Sequence, residues 1–399
     1  MSDVTAPFQF DTSLPGAQAT ITEIAQQAEA WREVASVVAA LRPQLDAFIT
    51  PLLDDRRLRI IMTGAGTSAF VGEIAAPSFA GSLGVRADAI ASTDLVSNPT
   101  EYLAEDVPTL LVSFARSGNS PESVAATDLV TQLVPGAHHL VVTCDGSGAL
   151  ARHHDNRDDS FVLVMPERTN DVGFAMTSSF SSMLLAALLV FHPETAANAD
   201  MAEDDDLVAH LSAAGAELFL REQGPLRDLA RRGFERVVYL GSGPLKGLAR
   251  ESALKLLELT AGRIVTYFDS PLGFRHGPKA VLNDHTLVIV YVSSDPQTRK
   301  YDLDLIAEVR ASQPEGSVVV ISAGPAGTPD DESRPIAGLQ GVPDAFLAVV
   351  FISIAQILGF AFALEVGTTP DNPFPGGSVN RVVTGVTVYP LDITAGPTP

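Results

Sequence analysis

Three charged side chains share one face of a predicted helix. In "RESALKLLELTAG" (250–262), Glu251, Lys255 and Glu258 are spaced i, i+4 and i+7, so a helix draws them together. Two carboxylates around an ammonium can move a proton, because burial and neighbouring charge decide which acid holds it. Taken alone, the pattern reads first as a solvated charged stripe, with Leu254, Leu257 and Ala261 on the apolar side. Downstream, "SPLGFRHGPKAVLND" carries His276, one of eight histidines, on a loop. An imidazole there can exchange a proton near neutral pH. No other Ser/His/Asp set and no His-x-x-x-His competes with it. His138–His139 and His153–His154 are adjacent pairs, and strand neighbours face opposite ways, so neither pair is expected to chelate a metal.

A second group could hold an anion. "SFARSGNSPES" (113–123) runs from an apolar strand into a helix marked by Pro121 and Glu122. Arg116, Ser117, Gly118, Asn119 and Ser120 then stand at a helix N-terminus, where free N–H groups and the dipole favour phosphate. In "GAGTS" (64–68), Gly66 permits close backbone approach, and Thr67 and Ser68 offer hydroxyls. It is not a dinucleotide fingerprint, since the third glycine position, 69, is alanine. "TNDVGFAMTSSFSSMLL" (169–185) is a further hydroxyl-rich helix start, with Thr177, Ser178 and Ser181; a cap or a helix contact is the first reading of it.

The elements that position these groups recur along the chain. "LRIIMTGAGTS" (58–68) matches "ERVVYLGSGPLK" (235–246), "VPTLLVSFARSGNS" matches "DHTLVIVYVSSDPQ", and "HHLVVTCDGSG" matches "GSVVVISAGPAG". Gly64 to Gly241 and Thr109 to Thr286 are equal separations, and Thr143 to Ser322 is two positions longer. Each strand is a short β-branched run ending in a Gly/Ser/Asp turn, with amphipathic helices such as 121–134 and 246–261 between. That pattern indicates parallel sheets covered by helices. The expected architecture is α/β, with two tandem flavodoxin-like units at about 45–195 and 220–390. An N-terminal arm (1–44) contains a helix over 17–42, a linker and helix occupy 196–219, and 391–399 is a tail.

With 399 residues, 46% hydrophobic and 19% charged, the chain can bury large cores. A net charge of −22 without basic runs argues against general nucleic-acid binding. The one cysteine, Cys144, excludes an intrachain disulfide and a cysteine-cluster zinc site, and fits a reducing cytosol. The first residues lack a basic start and an apolar run, so no signal peptide is read there. Residues 345–364 are apolar except Ser353 and Gln356 and long enough to span a bilayer. With Asp344 and Glu365 as flanks and no Lys/Arg belt, they are expected to form a buried core helix.

Together, "GAGTS", "SGNSPES", "ESALKLLELTAG", "RHGPKAVL" and the duplicated unit resemble the sugar isomerase (SIS) domain family over about 17–390. The chain is similar to the isomerase half of glucosamine-6-phosphate synthase, and more so to the AgaS branch of galactosamine-6-phosphate deaminase/isomerases. The resemblance implies that Ser68, Ser117 and Ser120 hold a sugar phosphate. It implies that Glu258 moves a proton between carbons 1 and 2, with Glu251 and Lys255 as companions. It also implies that His276 opens the sugar ring, reaching into the active site of a partner subunit in a homodimer or higher homo-oligomer. No metal or organic cofactor is implied. Two departures stand out. Ala115 and Arg116 replace a Ser-Gln pair, and an arginine suits phosphate. Near Thr384 the family has a lysine that forms a Schiff base; Arg381, the nearest basic residue, cannot, so no covalent sugar–lysine step is expected. No glutaminase unit is expected ahead of residue 45, so ammonia would be released rather than drawn from glutamine. The implied activity is a cytoplasmic deaminase/isomerase of a hexosamine 6-phosphate, galactosamine 6-phosphate first. The alternatives are an isomerase of a neutral sugar phosphate, such as tagatose 6-phosphate, and a non-catalytic sugar-phosphate sensor.

Overall fold

The computed structural model describes residues 10, 15–192, 206–326, 333–383 and 385–391. Part of the arm, the acidic stretch of the linker through 205, Thr384 and positions 392–399 lie outside the described residues.

Ten strands form two parallel five-stranded sheets among the described residues. The first holds β1 (Arg59–Thr63), β2 (Arg86–Ala89), β3 (Thr109–Ala115), β4 (His138–Thr143) and β5 (Ser160–Val164), in the order β2-β1-β3-β4-β5. The second holds β6 (Arg236–Gly241), β7 (Val265–Asp269), β8 (Thr286–Tyr291), β9 (Val318–Ser322) and β10 (Ser333–Pro335), in the order β10-β9-β8-β6-β7. Read from the other edge, this is the same flavodoxin-like order. The registers match too: Arg59 faces Thr109 in the first sheet, and Arg236 faces Thr286 in the second. The repeat seen in the sequence is therefore a repeat of fold, strand for strand. β1, β3, β6, β8 and β9 are buried at nearly every position, which is why they lack alternation.

The apolar run of 345–364 is the helix Asp344–Glu365. All of Ala345 to Ala363 is buried, against the helices Leu207–Ala230, Pro244–Leu259 and Ser178–Phe191. Its two polar residues have partners. Gln27 donates to Gln356 Oε1 at 2.7 Å, Gln356 donates to the Thr177 carbonyl at 3.3 Å, and Ser353 lies within 3.4 Å of Gln27 Nε2. Ser181 donates to Gln27 Oε1 at 2.7 Å and accepts from the Trp31 indole at 3.0 Å. This buried network ties three helices together with its polar atoms paired.

The arm differs from the expectation. It comprises two helices, Gln18–Ala25 and Gln27–Leu53, the second running through Pro43 and Pro51. The expected boundary at 44–45 thus falls inside a helix. Its buried face, including Trp31, Val34, Val38, Leu45 and Ile49, packs on the helices Ser178–Phe191 and Leu207–Ala230, and that packing outweighs the two prolines.

Candidate functional site

β1 and β6 each end in a glycine turn that opens a helix, Thr67–Leu83 and Pro244–Leu259. The N-cap glycines have nearly the same backbone, φ 55 and ψ −127 at Gly66 and φ 55 and ψ −126 at Gly243. A side chain there would be strained, and neither helix start has a side-chain cap. The two units thus present equivalent cradles, each beside a cavity, but the two differ in charge. In the second, Asp302 accepts from Ser242 Oγ at 2.6 Å and from the Ser293 amide at 2.9 Å. Asp344 accepts from Ser293 Oγ, Ser294 N and Ser294 Oγ at 2.5–2.8 Å. Asp344 lines the cavity of about 450 Å³ at this second helix start, so a carboxylate there disfavours an anion.

In the first unit, Ser68, Arg116, Ser117, Gly118, Ser120, Ser123 and Arg381 line a cavity of about 110 Å³ with Met176 and Val382. Ser120 is the N-cap of the helix Pro121–Leu133 yet caps nothing; its hydroxyl meets Ser123 Oγ at 2.6 Å. Arg116 is buried without a carboxylate partner among the described residues. Its terminal nitrogens donate to the carbonyls of Gly173, Phe174 and Arg381 at 3.4, 3.3 and 2.9 Å, while Nε is buried with no partner among them. Burial and the neighbouring Arg381 lower its pKa to about 10. A guanidinium held this way lacks a counter-anion, which a phosphate would supply. Arg381 itself donates to the Asp171 carbonyl.

Three expected substrate contacts have other work. Asn119 is exposed, and its Oδ1 accepts from the Ala149 amide at 3.0 Å, which fixes the next helix start. Thr177 and Ser178 are wholly buried and bound to Asp171, which also takes Ser179: three amides and three hydroxyls converge on its two oxygens at 2.5–3.3 Å. That helix start is closed by an internal carboxylate, so these hydroxyls are not free for a ligand. Sequence reasoning misses Asp171; an Asp ahead of a hydroxyl-rich helix start is the signal that points to it.

The charged face of Pro244–Leu259 is the main reversal. Read alone it suggests a solvated stripe, but Glu251 and Lys255 are 0% exposed and Glu258 is half-buried, while Leu257 is 42% exposed. The helix turns its charges inward because they meet the first unit. Lys255 Nζ donates to Glu258 Oε2 at 2.6 Å and to Thr67 Oγ1 at 2.9 Å, and lies 3.4 Å from Glu251 Oε1. Thr67 donates to Glu251 Oε1 at 3.3 Å, and Glu251 Oε2 is buried without a partner among the described residues. Burial, with help from Glu258, raises the Glu251 pKa to about 8, so it carries a proton at neutral pH. Burial alone would lower Lys255, but Glu251 and Glu258, both ionised at the alkaline pH where a lysine titrates, outweigh it and raise its pKa. The cluster therefore has one ammonium, one neutral acid and a partly accessible carboxyl beside the cavity, close enough that the Glu258 charge acts on Arg116.

His276 is not among them. It is exposed, its amide donating to the Gly273 carbonyl at 2.9 Å, and it is followed by Gly277 at φ 118. Arg275 and Lys279 on either side both pair with Glu308. Among the described residues of one chain, no hydrogen bond or ion pair joins His276 to the cluster, and it does not line the cavity. Of the two adjacent pairs, His138 and His139 lie on β4 as expected, whereas His153 and His154 end the helix Ala149–His154 rather than lying on a strand. His139 and His154 are buried, with ring centroids 4.7 Å apart, and bond Thr131 and Ser160.

A SIS domain model matches residues 52–193, the first unit. The chain is 52% identical over 377 residues to an AgaS protein of Streptomyces coelicolor, covering 94% of this chain and 96% of that one. It is 46% identical over 386 residues to the D-galactosamine-6-phosphate deaminase AgaS of Escherichia coli, covering 94% and 98%. The crystal structure of tagatose-6-phosphate ketose/aldose isomerase from Escherichia coli superposes with a TM-score of 0.83 at 42% identity, covering 94% of this chain and 96% of that one. With two SIS-type sheets and this likeness over nearly its whole length, the chain belongs to the SIS domain family, in its AgaS branch.

Proposed function

We propose that the chain is a deaminase/isomerase of a hexosamine 6-phosphate, with galactosamine 6-phosphate as the preferred substrate. One observation carries the reading: the buried Glu251–Lys255–Glu258 cluster is joined by Thr67 to the helix start whose next residue, Ser68, lines the phosphate-sized cavity. A sensor needs the cavity but gains nothing from burying Glu251 and Lys255 beside it, since burial of ionisable groups costs stability.

The phosphate sits among Ser68, Ser117, Ser120 and the Arg116 guanidinium. The open-chain aldehyde extends toward Glu258, which takes the proton from carbon 2 to give an enolamine and returns it to carbon 1. The product is an imine at carbon 2; water adds to it and ammonia leaves, giving a ketose 6-phosphate. Lys255 keeps Glu258 oriented and offsets its charge, and Glu251 stays neutral, so the buried cluster carries no net charge while Glu258 is ionised. His276 assists ring opening from the partner subunit of a homodimer in the cytoplasm. No step calls for a metal or an organic cofactor. A second reading, isomerisation of tagatose 6-phosphate, is favoured by the likeness to the isomerase named above and uses the same proton transfer.

The test is ammonia release and ketose formation over a panel of amino and neutral sugar 6-phosphates. Galactosamine 6-phosphate is expected to give both products in equal amounts. Glu258→Gln is expected to lose about 10²–10⁴-fold in kcat while still binding inorganic phosphate. Wild-type turnover by that variant would remove Glu258 from the mechanism, and ketose without ammonia across the panel would leave the isomerase reading.

A further inference from the structure

Thr67 reads from the sequence as a substrate hydroxyl, but its bonds give it a different task. Its Oγ1 accepts from Lys255 Nζ at 2.9 Å and donates to Glu251 Oε1 at 3.3 Å. A hydroxyl has one proton, and here it is committed to a carboxyl. Thr67, Lys255 and Glu251 are all buried, so water does not compete for these bonds. The three charged residues belong to the second unit, on Pro244–Leu259, whereas Thr67 opens the helix Thr67–Leu83 of the first unit. Its neighbours Gly66 and Ser68 belong to the phosphate cradle.

We propose that Thr67 is a positioning residue, which aims the Lys255 ammonium at Glu258 and holds the proton-transfer cluster in register with the phosphate cradle. A lysine ammonium sits on a flexible four-carbon stem and does not set its own direction. Its direction is fixed here by Glu258 at 2.6 Å, Thr67 at 2.9 Å and Glu251 at 3.4 Å. Removing the threonine oxygen leaves the ammonium between two carboxyls on its own helix, without its hydrogen bond to the first unit. The phosphate contacts stay intact, because none of them passes through Oγ1. The kinetic part of the inference rests on the deaminase/isomerase reading; the titration of Lys255 does not.

Thr67→Val keeps the side-chain shape and deletes the oxygen. On galactosamine 6-phosphate its kcat is expected to fall at least about tenfold with KM within about twofold, and Thr67→Ser is expected to recover most of the loss. Loss of an acceptor weakens the charged form of Lys255, so its deprotonation moves to lower pH. The ammonium signal of Lys255 in protein carrying ¹⁵N-lysine, assigned with Lys255→Arg, is expected to titrate at lower pH in Thr67→Val than in wild type. Should valine prevent folding, Thr67→Ala makes the same deletion in a smaller side chain. A rise in KM at unchanged kcat would overturn the proposal, because Thr67 would then be touching substrate. A fall in kcat with an unmoved Lys255 titration would also overturn it, by reporting a structural role alone. If wild-type protein releases no ammonia and forms no ketose, the functional reading fails, and the Lys255 titration still decides the role of Thr67.

Discussion

The exposed position of His276 makes a quantitative prediction about assembly. Glu258 is half-buried beside the cavity, while His276 lies on a surface loop and is not bonded to the cluster of its own chain. If each site takes Glu258 from one subunit and His276 from the partner, two dead variants can complement. A dimer of one Glu258→Gln chain and one His276→Ala chain has two sites. One carries both lesions. The other carries neither, because the His276→Ala chain supplies Glu258 and the Glu258→Gln chain supplies His276. Random pairing of equal amounts makes half of all dimers mixed, so about one quarter of wild-type sites should be restored in a two-fold symmetric dimer. Mixed dimers isolated by two different affinity tags should reach about half of wild-type activity per dimer, since one of two sites is whole. The cradle of the second unit does not disturb this count, because Asp344 lines its cavity and disfavours a phosphate there. The assay is ammonia release after co-expression and tandem purification, against each variant alone, each of which should lie about 10²-fold or more below wild type. Mixed dimers no more active than the two parents would refute contribution from the partner subunit. The site would then have to be built within one chain by movement of the 271–281 loop.

Two further outcomes follow from the buried charges. Arg116→Met should weaken binding of inorganic phosphate by about ten- to a hundredfold, the worth of a charge-assisted hydrogen bond, as read by calorimetric titration; unchanged affinity would place the phosphate elsewhere. Glu251→Gln should lower kcat yet stabilise the fold at alkaline pH. In the unfolded chain Glu251 ionises above its ordinary value of 4.5, whereas in the fold it keeps its proton to about 8, so wild-type stability from this group is full below 4.5 and is lost as pH rises toward 8. The variant escapes that loss, and its advantage in urea unfolding should grow by about 1–3 kcal/mol between about pH 5.5 and pH 8; a gap that does not change with pH would mean that Glu251 is ionised in the fold.

Pattern alone revealed the layers of this protein. The repeated β-branched runs ending in glycine turns marked the six central strands, three in each sheet, because buried parallel strands carry apolar residues on both faces, whereas the partly exposed β2, β5, β7 and β10 carry no such mark. The Asp344–Glu365 helix was legible as core from its acidic flanks and its lack of a basic belt. The arm was legible as helical, but not its extent, since Pro43 and Pro51 read as breaks until tertiary packing holds the helix through them.

The sequence also determined the residue types needed for the chemistry, and placed Glu251, Lys255 and Glu258 on one helical face. Spacing along a helix says which residues share a face, not which way the face looks. Only the tertiary structure turned that face inward, buried Glu251 and Lys255 completely, and left Leu257 exposed instead. Nor could a linear reading tell that Thr67 of the first unit would bond Lys255 and Glu251 of the second, or that Arg116 would be buried against backbone carbonyls rather than a carboxylate. The physical reason is the same in each case. A hydroxyl, an amide or a charge has a meaning only when its partner is known, and these partners come from other elements of the fold, brought within hydrogen-bonding distance by packing that no local pattern encodes.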